Sequence, residues 1–87
     1  MVLNSSQKDE LRRLGYHDRD IAEIGLALDA GEFTFTNEKT GKRISVETAK
    51  TKLGTSAFLS GIGRACFHAT AVRGDEGKGM IFIRRKY

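Results

Sequence analysis

The sequence predicts a small α+β domain whose two β-hairpins form one antiparallel sheet, packed by a central amphipathic helix. Three observations support this: helical apolar spacing within residues 6–30 and 45–69, strand-like alternation around Phe33 and Phe35, and glycine-containing turns in the hairpin segments. The chain has 87 residues, of which 39% are hydrophobic and 30% charged, and it has no proline. That length and composition predict one ordered domain over residues 1–87. The expected order of elements is ααββααββ.

Two helices are expected before the first strand. Residues 5–10 hold two serines followed by two acids at the spacing of a capping box, so the first helix should cover about 6–14. Asp18 is a suitable N-cap for a second helix that runs through Ala30. An apolar stripe at i, i+3 and i+7 gives this second helix a face to bury.

A β-hairpin and a short third helix follow. Phe33 and Phe35 alternate with threonines, as in a half-buried strand, and residues 37–41 read as a turn that ends in glycine. Residues 42–45 are expected to form the returning strand. Ser45 is also the expected N-cap of a helix that reaches about Leu53.

The second half of the chain predicts a fourth helix and a second hairpin. The helix begins at residue 55 or 56, and its core stripe consists of Phe58, Ile62, Ala65 and Ala69. Two strands should follow near residues 70–73 and 80–83, separated by the glycine-rich turn 74–79. Because isolated hairpins are marginally stable, we expect both hairpins to join in one sheet.

Positive charge is concentrated in the second half of the chain. Residues 1–44 hold seven Lys and Arg residues against eight acids, whereas residues 45–87 hold eight against three, for a total of +4. This asymmetry predicts a polyanionic or acidic partner for the C-terminal half. The alternative is that the charge serves solubility alone.

The fourth helix has a second, polar stripe that we interpret as a candidate binding face. Ser60, Arg64 and His68 recur every four residues, on a different face from the core stripe. Arg64 would form charge-assisted contacts with an oxyanion, and protonated His68 would strengthen them. Gly61 and Gly63 each cost about 1 kcal/mol relative to alanine in a helix, which indicates that another part of the protein, or a ligand, approaches closely there.

The same segment has a second interpretation. Residues 59–64, Leu-Ser-Gly-Ile-Gly-Arg, resemble the hairpin of helix-hairpin-helix DNA-binding motifs, in which a Gly-hydrophobic-Gly turn joins two helices. The resemblance implies that residues 61–63 are a turn whose backbone N–H groups bind a phosphate. Phe67 departs from the family, which typically has a small residue at that position. Whether residues 61–63 form a turn or part of a helix is left open by the sequence.

The chain ends in a cluster of cations. If the isoleucines of the last strand face the core, Phe82 and Arg84 share the opposite face. We therefore predict one basic patch that unites the fourth helix, the third strand and the C-terminus. Its candidate binding residues are Ser60, Arg64, His68, Arg73, Arg84, Arg85 and Lys86. The alternative is a solvated terminus whose cations protect a sheet edge from aggregation.

Catalytic and metal-binding patterns are weak in this sequence. Ser60 and His68 would lie ~12 Å apart along a helix axis, too far for a nucleophile and its base. Cys66 lies beside the core stripe, where a cysteine behaves as a small hydrophobe, and as the one cysteine it has no disulfide partner within the chain. We expect a protein that is not an enzyme and has no cofactor or metal ion. The polar N-terminus and the absence of an ~18-residue apolar run predict a cytoplasmic protein without a membrane segment.

The sequence therefore predicts a small nucleic-acid-binding or regulatory protein that grips backbone phosphate, with DNA and RNA not distinguished. The alternative is a protein–protein interaction module, a small inhibitor or adaptor that docks its basic half on an acidic partner. Such a module would suit a phage or mobile-element accessory protein, including an anti-defence protein. The oligomeric state is left open, although an exposed Met80–Ile83 edge would allow two chains to pair.

Overall fold

The computed structural model describes residues 3–68, 70–74 and 80–86, with the side chains of residues 70–73 left out. In chain order these residues form α1 (Ser5–Arg13), α2 (Asp18–Asp29), β1 (Phe33–Asn37), β2 (Arg43–Ile44), α3 (Val46–Leu53), α4 (Thr55–His68), β3 (Thr70–Gly74) and β4 (Met80–Arg85). The prediction of a small α+β domain with an antiparallel sheet is confirmed.

One sheet joins the two hairpins. Its strand order is β2–β1–β4–β3, with three strands of five or six residues and a two-residue strand, β2, at one edge. The hairpins meet where β1 pairs with β4, with Phe35 opposite Ile83. Because β4 is bonded to β1 on one side and to β3 on the other, it is an interior strand. The expectation that Met80–Ile83 is a free edge for pairing two chains is therefore wrong.

The sheet has one buried face and one open face. Side chains alternate along β1 and β4, as the pleat of a strand requires. The buried side chains are Phe33, Phe35, Ile81 and Ile83. On the open face, Thr34, Thr36 and Phe82 are half-buried and Arg84 is exposed. Phe35 stacks on Phe58 of α4 with 5.8 Å between ring centroids, which places α4 against the buried face.

The helix α4 lies at the centre of the core. It contacts α1, α2, α3, β3 and β4, and Phe58, Ile62 and Ala65 of its predicted stripe are fully buried. Ala69, the last member of that stripe, lies outside the described residues. The helix continues through residues 61–63 without a glycine of positive φ. The turn implied by the helix-hairpin-helix resemblance is therefore not formed.

Gly63 allows a tyrosine to pack directly against α4. A Cβ atom at this position would lie 2.8 Å from Cε2 of Tyr16, and closer still to its Cζ and hydroxyl oxygen. Tyr16 also stacks on Phe67, with ring centroids 6.0 Å apart. Glycine at position 63 thus allows the segment between α1 and α2 to approach α4 closely. This contact explains why α4 contains a residue of low helix propensity at that position.

The first two helices begin differently from the prediction. The N-cap of α1 is Asn4 instead of a serine: its Oδ1 accepts from the N–H of Gln7 at 2.8 Å, and its own N–H donates to Oε1 of Gln7 at 2.9 Å. The N-cap of α2 is His17, so Asp18 is the first helical residue. Asparagine is as favourable as serine at an N-cap, and here Gln7 completes the capping box from the third helical position.

Candidate functional site

The open face of the sheet forms a basic groove of about 450 Å³. Its lining residues are Thr34, Thr36, Arg43, Phe82, Arg84 and Lys86. We refer to them together as the open-face groove. Among the described residues, three cations, two hydroxyls and one aromatic ring line this groove, and no carboxylate does. Such a set of groups can hold an anion beside a planar, apolar group.

The register of the strands brings these residues together. Thr36 pairs with Phe82 of β4 on one side and with Arg43 of β2 on the other, so the three form one row across the sheet. Thr34 and Arg84 form the next row. From standard strand spacing, the Cα of Phe82 lies ~7 Å from that of Arg84 and ~10 Å from that of Arg43. The aromatic ring therefore has one cation two residues along its own strand and a second cation two strands away in the same row.

Within the residues that the structure describes, the cations of the open-face groove are not neutralised. Arg43, Arg84 and Lys86 are exposed, and within the described part of the chain none of them forms an ion pair with a carboxylate. Like charges on one sheet face repel each other, so an anionic ligand would relieve the repulsion.

The two threonine hydroxyls of the groove have different roles. The hydroxyl of Thr34 donates to the backbone oxygen of Arg84 at 3.3 Å, which ties β1 to β4 beneath the groove. The hydroxyl of Thr36 forms no hydrogen bond within the described residues. It is therefore available to a ligand beside Phe82.

Arg85 differs from its neighbour Arg84 because it faces the helices. Its side chain is 16% exposed, with Nε 3.0 Å from Oε1 of Glu32 and Nη2 3.6 Å from Oε2 of Glu23. Its Nη1 donates to the backbone oxygen and to Sγ of Cys66, both at 3.1 Å. Burial by itself would lower the pKa of Arg85, but the hydrogen bond to Glu32 and the neighbouring negative charges raise it. Arg85 therefore links β4 to α2 and α4 and has few donors left for a partner.

The polar stripe of α4 is separate from the open-face groove. Arg64 and His68 are exposed and Ser60 is half-buried, but α4 packs on the buried face of the sheet, so the sheet lies between them and Arg84. Burial raises the pKa of Tyr16, and the positive charge of Arg64 opposes that rise, which places Arg64 near the segment that joins α1 to α2. The expected single basic patch is therefore not assembled.

Two further candidate residues have different outcomes. Lys86 lines the open-face groove with Arg84, as part of the predicted C-terminal cluster. The backbone of Arg73 pairs with Ile81, but the side chain of Arg73 lies outside the described residues.

The structure offers little support for chemistry at Cys66. Burial raises the pKa of its thiol and outweighs the lowering effect of the Arg85 charge, so the reactive thiolate is disfavoured. Among the described residues, no three His, Cys, Asp or Glu side chains are grouped to hold a metal ion. None of the helices described here has the length and apolar character needed to cross a membrane.

Sequence reasoning missed Thr34, Thr36, Arg43 and Phe82 as site residues, although it placed Phe82 on the same face as Arg84. The alternation of the threonines with buried phenylalanines was the available signal, because it places both hydroxyls on the face away from the core. Arg43 had no such signal, since its place in the groove depends on the pairing of β1 with both β2 and β4.

Comparison of the chain with protein-family models, with curated proteins and with solved structures finds no match. The function is therefore inferred from the geometry and charge of the open-face groove.

Proposed function

We propose that the protein binds nucleic acid without catalysing a reaction, and that the open-face groove binds the backbone phosphates. The observation that supports this most directly is the set of three exposed cations, Arg43, Arg84 and Lys86, in a groove whose described lining contains no carboxylate. Arginine and lysine form charge-assisted contacts with phosphate oxygens, and every nucleotide of a strand supplies a phosphate. A polyanion therefore satisfies several of these cations at once.

The number of cations predicts how strongly salt should weaken binding. Each phosphate contact on a single strand lowers the logarithm of the binding constant by about 0.7 per tenfold increase in salt. Three contacts correspond to a loss of about 20-fold between about 50 and about 200 mM salt. Binding that depends on a buried apolar hot spot would change far less.

Fluorescence anisotropy with a labelled oligonucleotide tests the proposal. The groove variant combines Arg43→Ala, Arg84→Ala and Lys86→Ala. The matched control combines Lys8→Ala, Arg13→Ala and Arg19→Ala, which removes three exposed cations from α1 and α2. Both variants lose the same charge, so a difference between them reports the position of the binding site. We expect the groove variant to lose binding together with most of its salt dependence, and the control to stay within a few-fold of the natural protein.

A second control separates the groove from α4. The Arg64→Ala, His68→Ala variant changes the polar stripe of that helix, on the other side of the sheet, and should retain binding.

Three results would count against the proposal. Equal losses in the groove and control variants would mean that net charge alone attracts the oligonucleotide. A loss in the Arg64→Ala, His68→Ala variant would move the site to α4. No binding at low salt would refute nucleic-acid binding, and capture of an acidic protein through the same three cations would then favour the interaction module.

A further inference from the structure

We infer that the open-face groove takes a single strand of nucleic acid, with one base stacked on the ring of Phe82. This inference rests on the proposed function and specifies the form of nucleic acid that the groove accepts. Phe82 lies in the row of Thr36 and Arg43, with Arg84 two residues further along the same strand. The ring is half-buried and lines the groove, so one part of its surface faces solvent.

An aromatic ring that shares an open sheet face with cations is suited to stacking. Bases of a single strand stack on aromatic side chains, while a positively charged groove follows the backbone. The Cα spacings of ~7 Å to Arg84 and ~10 Å to Arg43 allow both side chains to reach phosphates that flank a base on Phe82. The hydroxyl of Thr36, which has no hydrogen bond among the described residues, is next to the ring and can contact a base edge or a sugar.

A duplex cannot use this ring in the same way. Its bases are paired and stacked inside the helix, so it offers a flat sheet face mainly phosphates and sugars. Duplex binding would therefore depend on Arg43, Arg84 and Lys86 but not on Phe82. This difference separates the single-strand inference from general phosphate binding.

Phe67 provides a matched control for Phe82. It is also a surface phenylalanine, 44% exposed, but it belongs to α4. Its ring already stacks on Tyr16, with ring centroids 6.0 Å apart. It lies on the helical side of the sheet, away from the open-face groove, so we assign it no contact with the strand.

Tryptophan fluorescence gives a direct readout, because the natural chain contains no tryptophan. The Phe82→Trp and Phe67→Trp variants are each titrated with an unstructured single strand and with a duplex of the same sequence. Stacking of a base on an indole quenches its emission. We expect the single strand to quench the Phe82→Trp variant, the duplex to quench it much less, and neither to quench the Phe67→Trp variant.

Affinities measured by anisotropy give the second readout. Phe82→Leu keeps an apolar side chain on the sheet but removes the aromatic face, and Phe82→Tyr keeps that face. We expect Phe82→Leu to weaken single-strand binding by about 5- to 150-fold, the loss typical of one base–aromatic stack, and to leave duplex binding unchanged. Phe82→Tyr should bind like the natural protein. Thermal melting verifies that each variant is folded. If Phe82→Leu is not folded, the tryptophan quenching alone tests whether a base stacks at position 82.

The outcomes distinguish this inference from the proposed function. If Phe82→Leu binds the single strand normally while the three-cation groove variant does not, stacking is refuted and phosphate binding stands. If the natural protein binds neither form at low salt, both are refuted.

Discussion

Arg84 and Arg85 are adjacent and have the same charge, yet their replacement by alanine should have opposite consequences. Arg85→Ala removes the hydrogen-bond and ion-pair partner of Glu32, whose side chain is 22% exposed, and the donor to the Cys66 carbonyl. Losing a hydrogen bond to a charged group costs about 1.5–3 kcal/mol, and breaking a fully buried pair costs about 3–5 kcal/mol. Glu32 and Glu23 keep some contact with water. We therefore expect Arg85→Ala to lower the free energy of unfolding by about 2 kcal/mol, near the cost of the lost hydrogen bond.

Arg84→Ala leaves the fold almost unchanged. The side chain of Arg84 is exposed, and the hydrogen bond from Thr34 goes to its backbone oxygen, which alanine retains. We expect a change in the free energy of unfolding within about 0.5 kcal/mol. Nucleic-acid binding should weaken instead, and the dependence of log K on log salt should become shallower by about 0.7–1.

Urea denaturation and oligonucleotide anisotropy of the two variants test this contrast. Anisotropy is measured under conditions where both variants are folded, so that the instability of Arg85→Ala does not imitate a loss of binding. Arg85→Ala should then bind nearly as well as the natural protein. If Arg85→Ala is fully stable and loses binding as Arg84→Ala does, the two side chains do not lie on opposite faces of β4 and the reasoning is refuted.

Three further predictions concern stability. Gly63→Ala gains about 1 kcal/mol of helix propensity, but its new Cβ displaces the Tyr16 ring at a cost of about 1–3 kcal/mol. Urea denaturation should therefore show a lower free energy of unfolding. In a Tyr16→Ala background the same substitution should raise it. A stabilised single variant would contradict the contact. Burial raises the pKa of Tyr16 in the folded protein above the ordinary tyrosine pKa near 10. The stability that the protonated Tyr16 side chain contributes is therefore complete below the ordinary pKa and is lost as the pH rises through the raised pKa. The free energy of unfolding should fall less steeply across alkaline pH for Tyr16→Phe, and an identical fall would contradict a partly buried phenol. Asn4→Ala removes the N-cap of α1 and should cost about 1 kcal/mol, seen as a lower Tm; an unchanged Tm would mean that Gln7 and water satisfy the helix end.

Local patterns predicted the secondary structure but not the neighbours of each strand. The alternation at Phe33 and Phe35 and the capping residue Ser45 are encoded within a few residues, and both correspond to elements of the structure. The pairing of Thr34 with Arg84 joins positions 50 residues apart, and no local pattern specifies it. The contact between Tyr16 and Gly63 also joins positions far apart in sequence, so the glycine indicates a close approach but does not identify its partner.

The side on which each C-terminal cation lies follows from the alternation of the last strand. The sequence-based prediction places Arg84, Arg85 and Lys86 in one patch because it applies the strand alternation only as far as Arg84. β4 continues to Arg85, so the alternation that turns Ile81 and Ile83 inward also turns Arg85 inward. The same alternation leaves Arg84 and Lys86 on the open side. A period of two, applied for two more residues, separates the structural arginine from the binding candidates.

An NMR titration of isotope-labelled protein with a short single strand at low salt tests the open-face groove most directly. The largest backbone amide shifts should fall across β1, β2 and β4, at Thr34, Thr36, Arg43, Phe82 and Arg84. The exposed positions of α4 should move little. Shifts concentrated at Arg64 and His68, or no shifts at any strand concentration, would contradict binding on the open face of the sheet.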